Sequence, residues 1–384
     1  MTCANRRAWI EVDTGALRHN LIQLRRLLPE GCGLLAVVKA NAYGHGAAEC
    51  AAICQQAGVR AFAVATAAEG AALRERGIAG EILVLGYSGA EAVPLLSRYC
   101  LSQAVVSLDH AQLLNACGLP LRVHWKVDTG MHRLGFAWDR PEVLASAFAC
   151  QHLQVCGLFT HLSDAEAPDP ESRSRTQTQI DRFFQMVQYL RSAGYEPGIL
   201  HLQGSYGLLN YGGIPGCGWV RAGIALYGLL SSPQDTTRFS ADLRPVLSLR
   251  ARVAQVHTLQ AGEPAGYDGA FTAQRPSRLA LVTIGYADGW PRSLSRGRGR
   301  VLVRGQSAPI AGLICMDQLL ADVTGIAGVS PGDTVTLIGR DGDACLTAGE
   351  AAQAADTITN ELLSRLGERL ERVLTNQSGD APAL

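Results

Sequence analysis

Eight short apolar segments separated by helical patterns limit what this chain can become more than any other feature of its 384 residues. LLAVVK begins at residue 34, AFAVAT at 61, EILVLG at 81, QAVVS at 103, LRVHWKVD at 121, QVCGLFTHL at 154, GILHLQG at 198 and WVRAGIALYG at 219. Runs such as LLAVV lack the polar alternation of a sheet with one wet face, so they read as strands covered on both sides. Between the first two lies HGAAECAAICQQAG, whose Ala, Cys and Ile positions suit an amphipathic helix closed by Gly58. DRFFQMVQYLRSAG at 181–194 repeats that design. Eight alternations of strand and helix are the rhythm of a (β/α)8 TIM-like barrel, an α/β fold whose strand ends carry the active site. An open doubly wound sheet gives a similar alternation, but no GxGxxG follows the first strand to support a dinucleotide-binding version.

After about residue 235 the texture changes. Val, Leu and Ile alternate with polar residues through LRPVLSLRARVAQVHTLQ, SRLALVTIGYADGW, VLVRGQSAPIAGLICMDQ and GDTVTLIGRDG, with Gly-containing turns between them. The expectation is a barrel over 1–235, whose first few residues can pack with the C-terminal domain, and a mainly β domain over 236–384. SSPQDTTRFS at 231–240 is the expected boundary. TAGEAAQAADTITNELLSRLGERLERVL carries apolar residues at helical spacing, so it is expected as a terminal helical segment.

Charge narrows the class of ligand. Lys plus Arg and Asp plus Glu are 34 each, so no overall field favours nucleic acid or an anionic membrane, and a small ligand is expected. No uncharged apolar run is long enough to span a bilayer, and MTCANRRAWIEVDTG has no apolar stretch of the secretory kind. The eleven cysteines form no CxxC pair or metal-type spacing, which points to reduced thiols, a cytoplasmic setting and no metal.

The first barrel strand ends in a lysine. In AVVKANAYGHG, Lys39 follows an apolar run and precedes the turn formers Asn41, Gly44 and Gly46, so it is presented at the mouth of the sheet. Two readings are open at that position. One is an ordinary ion-paired lysine; the other is a partly desolvated amine of lowered pKa, able to condense with a carbonyl compound such as pyridoxal phosphate (PLP).

VVKANAYGHG resembles the PLP-attachment signature of the alanine racemase family. RAWIEVD, KVDTGMHRLGF, FTHLSDAE, VRAGIALYG, AGYDGAF, IGYADGWPR, ICMDQ and TITNE follow the family's motifs in order, from near residue 7 to 361. The resemblance implies a PLP-binding barrel followed by a β domain, working as a homodimer with shared active sites. It implies that Lys39 holds PLP and serves as the base on one face of the substrate Cα. Tyr267 would be the second base, contributed by the other subunit, because removing a proton from one face and returning one to the other needs two opposed groups. It also places His161 beside the network of that tyrosine and the cofactor ring, and Arg221 against the pyridine nitrogen. Arginine has donors only, so that nitrogen would stay unprotonated.

Tyr43, Ser205, Gly223 and Ile224 match the family's phosphate cradle, as expected for the last strands of a barrel. Arg133 would bind the substrate carboxylate with its two-pronged guanidinium, Met316 would offer its backbone N–H, and Tyr286 would line the entrance across the dimer interface. Lys126 matches a lysine that is carbamylated in some members and then pairs with Arg133; an ordinary ion-pairing lysine is the other reading.

Asn360 departs from the common pattern, since many alanine racemases carry a tyrosine there beside the substrate side chain. In this respect the chain resembles the serine racemases associated with vancomycin resistance, which are usually fused behind a membrane domain. Alanine as main substrate with appreciable serine activity is the leading expectation. A dedicated serine racemase, a PLP decarboxylase of similar architecture and a non-catalytic PLP-binding protein are the alternatives.

Overall fold

The computed structural model describes residues 6–167 and 169–376. Chain entry is through β1 (Ala8–Asp13) and the helix Thr14–Arg25, which Asp13 caps by accepting from the N–H groups of Gly15 and Ala16. Eight parallel strands follow: β2 (Gly33–Val37), β3 (Ala61–Val64), β4 (Glu81–Val84), β5 (Ser102–Val105), β6 (Leu121–Asp128), β7 (Leu153–Phe159), β8 (Ile199–His201) and β9 (Trp219–Ala222). They pair in the order β9-β2-β3-β4-β5-β6-β7-β8. Backbone bonds from Gly218 N to Leu200 O (2.9 Å) and from Arg221 N to Gln203 O (3.0 Å) bring the two ends together, so the sheet is a nearly closed barrel. Leu35, Val37, Ala61, Ala63, Leu83, Ala104 and Phe159 fill its lumen.

The second sheet is mainly antiparallel. Its strands include β10 (Leu247–Leu259), β11 (Ser277–Val282), β12 (Arg300–Val303), β13 (Gln306–Ala311), β14 (Leu319–Asp322), β15 (Thr334–Asp341) and β16 (Glu371–Thr375). The long β10 pairs with both β11 and β15, closing a ring of six strands. β1 belongs to this sheet as well. It lies antiparallel to β10, with Ile10 opposite Leu249, and parallel to β16, with Ile10 opposite Arg372.

One expectation is corrected. The terminal segment is helical only over Ala348–Ala354 and Thr359–Ser364, and ERVL, taken above as its continuation, lies in the strand β16. Its pairing with β1 satisfies the backbone in place of helical bonds, a long-range partner that local spacing does not display.

Candidate active site

Lys39 emerges from β2 into a stretch of backbone that few sequences would adopt unaided. Ala40, Asn41, Ala42 and Tyr43 all have φ between 51° and 54°, a left-handed turn of four consecutive non-glycine residues. Each such residue costs about 1–2 kcal/mol over a right-handed one, so the surroundings must hold the turn. Glu69 accepts from Ala40 N (2.8 Å), the Asn41 side chain accepts from Ala47 N (2.8 Å), and His45 Nδ1 donates to the carbonyls of Ala42 (2.9 Å) and Tyr43 (3.0 Å). Gly44 ends the turn at φ 82°, where a Cβ would come within 2.2 Å of Leu363 O.

The turn delivers Lys39 and Tyr43 to a cavity of about 440 Å³ at the carboxyl ends of the barrel strands. Lys126, Arg133, His161, Arg221, Ser205, Gly223 and Ile224 line it as well. Asn360 reaches it from the helix Thr359–Ser364. Four cationic side chains thus face one space, and among the described residues no ion pair joins Lys39, Lys126, Arg133 or Arg221 to a carboxylate. Burial, then Arg133 and Arg221, lower the Lys39 pKa, with Glu69 opposing. Burial and the same two arginines bring Lys126 down to about 8. His161 is pushed well below its ordinary value by burial and by Arg221, Arg133, Lys126 and Lys39, so it is neutral.

Arg221 is fully enclosed. Nη1 donates to His201 Nδ1 (3.0 Å) and His201 O (3.1 Å), and Nη2 to Thr160 O (2.7 Å), Leu202 O (3.0 Å) and His161 Nδ1 (3.0 Å). Nε has no partner among the described residues, which leaves one donor for a ligand. Ser205 Oγ accepts from Gly223 N (3.0 Å) and Ala225 N (3.2 Å), while Ile224 N has no partner among the described residues. A Cβ on Gly223 would sit 2.8 Å from Tyr43 Oη, so glycine is what lets the phenol close over this corner. Burial pushes the Tyr43 pKa up to about 12, keeping it a neutral donor.

Tyr267, Tyr286 and Met316 are elsewhere. They belong to the second domain, where Tyr267 is 65% exposed, Met316 53% and Tyr286 42%. Tyr267 and Met316 line one shallow surface groove, and Tyr286 N donates to Cys315 O beside it (3.1 Å). Within one chain, therefore, ten of the thirteen residues singled out from the sequence share the cavity, and these three form a separate patch. Sequence reasoning missed the residues that hold the site: His45, Glu69, His124 and His201. The available signal was a lone polar residue inside a continuous apolar strand, as in LRVHWKVD and GILHLQG.

A parallel barrel with an amine of lowered pKa at the end of its first strand, a carboxylate-poor cluster of cations and a free guanidinium donor suits an anionic, carbonyl-bearing cofactor. That combination defines the PLP-binding barrel proteins as a class. Residues 12–231 match the alanine racemase N-terminal domain and residues 246–374 the alanine racemase C-terminal domain. The chain belongs to the alanine racemase family, whose members are PLP-dependent.

An "Amino-acid racemase" of Enterococcus faecalis is 42% identical over 367 residues, 95% of this chain and 51% of that protein. A "Serine/alanine racemase" of Enterococcus gallinarum is 39% identical over 365 residues, again 95% of this chain and 51% of the relative. The chain thus spans about half the length of these two relatives. It spans 97% of an "Alanine racemase" of Citrifermentans bemidjiense, at 40% identity over 378 residues and 94% of this chain. Among solved structures, alanine racemase of Clostridium difficile 630 superposes with a TM-score of 0.89 at 31% identity, covering 97% of each chain.

Proposed function

We propose that this chain is a PLP-dependent racemase that interconverts L- and D-alanine, with serine as a secondary substrate, in a cytoplasmic homodimer whose subunits complete each other's active sites. The observation that carries the reading is the division of its chemistry: an amine of lowered pKa lies in the cavity, and the tyrosine suited to oppose it is displayed on the far domain's surface.

PLP, when bound, draws electrons from the substrate Cα and makes its proton removable. Lys39 supplies the amine that holds the cofactor and the base on one face of Cα. Tyr267 of a second copy supplies the acid or base on the other face. Arg221 offers Nε and no acceptor, so it would hold a ring nitrogen without protonating it, which would make the bound ring a weaker electron sink. Tyr43, Ser205 and the Ile224 N–H suit a phosphate, and Arg133 suits the substrate carboxylate. Asn360 favours the serine component: it lines the cavity, and its buried Oδ1 has no partner among the described residues, leaving an acceptor for a hydroxymethyl group.

The test is complementation. Lys39→Ala and Tyr267→Phe are each expected to be inactive as homodimers, and Lys39→Ala to lose the reducible PLP adduct. Mixed under conditions of demonstrated subunit exchange, they should regain activity through hybrid dimers holding one intact site. Absence of recovery places both bases in one chain, and release of carbon dioxide in place of D-alanine makes the protein a decarboxylase.

A further inference from the structure

A column of polar side chains runs down the barrel from the cavity towards its opposite end. Arg221 Nη1 donates to His201 Nδ1, and His201 Nε2 meets His124 Nδ1, each at 3.0 Å. His124 Nε2 has no hydrogen-bond partner among the described residues; it faces Glu81 Oε1, 3.7 Å away. Glu81 is the first residue of β4, at the N-terminal end of the barrel, whereas Lys39 follows the C-terminal end of β2. Arg122 Nη2 (2.5 Å) and the Ser102 hydroxyl fix the carboxylate.

Both imidazoles are fully buried and held flat. His124 stacks on Trp219 (centroids 5.8 Å, planes 19° apart) and His201 on Phe159 (4.8 Å, 4°). A Cβ on Gly157 would come within 2.3 Å of His124 Nδ1, so β7 carries glycine where the ring crosses it.

The column has a direction. Arginine has donors only, so His201 Nδ1 must accept and its proton sits on Nε2. His124 Nδ1 then accepts that proton's bond, and its own proton sits on Nε2, towards a carboxylate. Reversing either ring sets N–H against N–H. Burial favours neutral rings, and the reverse polarity would set a His201 N–H against the Arg221 guanidinium and a His124 lone pair against the Glu81 carboxylate.

We propose that Glu81 and His124 are positioning residues for Arg221: the carboxylate at the far end of the barrel reinforces the tautomers that the donor-only guanidinium selects and so keeps a lone pair aimed at Arg221. Arg221 in turn presents Nε to the cavity. The inference rests on the proposed role of Arg221 against the cofactor ring, and its main readout does not depend on turnover.

The experiment is solid-state 15N NMR of the PLP-loaded protein labelled at histidine, with His124→Asn and His201→Asn used for assignment. The wild type should show both residues as neutral Nε2–H tautomers; a proton on His201 Nδ1, or a doubly protonated His201, overturns the proposal whatever the variants do. Glu81→Gln should give mixed tautomers at His124 and His201, a shifted cofactor absorption band and a kcat about tenfold lower with KM for alanine changed less than twofold, as for other supporting shells around a site. Arg122→Gln removes the ion pair but leaves the carboxylate, so it should keep the wild-type tautomers and band. If Arg122→Gln reproduces the Glu81→Gln changes, or Glu81→Gln keeps wild-type tautomers, the role is structural and the proposal fails. Correct tautomers in a wild-type protein without racemase activity would sink the proposed function and leave this inference standing.

Discussion

His45 lies against Tyr227 with ring centroids 4.4 Å apart and planes 28° apart, and the two rings pin the segment that bears Lys39 from both sides. Tyr227 Oη donates to Val37 O (2.8 Å), two residues before the lysine, while His45 Nδ1 holds the carbonyls of Ala42 and Tyr43 after it. The left-handed turn between them is kept by these bonds. Tyr227→Phe keeps the ring and removes one buried bond, so stability should fall by about 1–2 kcal/mol. PLP should also be retained less tightly. Thermal unfolding and cofactor titration read both; an unchanged affinity for PLP would mean that the turn holds without Tyr227.

Acid should unfold this protein through its histidines. His45 is pushed down to about 4, chiefly by burial, against an ordinary value near 6.5. Between those values the unfolded chain binds a proton that the folded chain refuses, so stability is full above pH 6.5 and is lost as pH falls towards 4. The loss from His45 alone is on the order of 3 kcal/mol. His110, His124, His161 and His201 are shifted the same way by burial and act in the same direction. Glu81, held down to about 2, adds its loss only below the ordinary carboxylate range. Urea midpoints between pH 7 and pH 5 should fall steeply, and less steeply in His45→Phe; equal slopes would contradict the assignment.

Lys126 should react with carbon dioxide. With its pKa brought down to about 8, a sizeable neutral fraction exists near neutral pH and grows as pH rises. The amine donates to Leu134 O (2.9 Å) and lies among guanidinium groups that would pair with a carbamate. Protein equilibrated with 13C-bicarbonate should show a carbamate resonance that strengthens from pH 7 to pH 9 and is missing in Lys126→Met. Loss of the anion should raise KM for alanine more than it lowers kcat, since Arg133 would lose its orientation. A wild-type spectrum without the resonance leaves Lys126 as a plain cation.

Asn360→Tyr should lower kcat/KM for serine more than for alanine. The larger ring would occupy the space beside the substrate side chain and remove the free Oδ1 acceptor. An apolar pocket discriminates against an added hydroxyl by about a hundredfold at most, so a partial shift in the ratio is expected. Four assays, two substrates on two proteins, decide it: a constant ratio removes Asn360 from specificity.

The barrel was legible because its strands are short, apolar and evenly spaced, and a strand buried on both faces advertises itself in the sequence. That Lys39, Arg221 and Ser205 share one cavity was legible because each sits near a strand end within a motif. ERVL was misread because its partner β1 lies more than 350 residues away, and so short a stretch cannot outweigh a helical pattern running into it. His124 and His201 escaped notice for a related reason: a buried polar side chain is explained by what it meets in space, and Glu81 and Arg221 lie on other strands.

The place of β1 between β10 and β16 bears on how such a chain can be synthesised. The earliest described strand waits for partners at 247–259 and 371–375. While the ribosome delivers the barrel, Ala8–Asp13 has neither neighbour and must be kept from pairing with other nascent chains. Contacts this distant in sequence form slowly, because a long loop must close before they reward it. The barrel can assemble during translation, but the seam joining the two halves closes only after residues 371–375 have left the exit tunnel. Expression at lower temperature or with added chaperone should therefore raise the soluble yield of the whole chain.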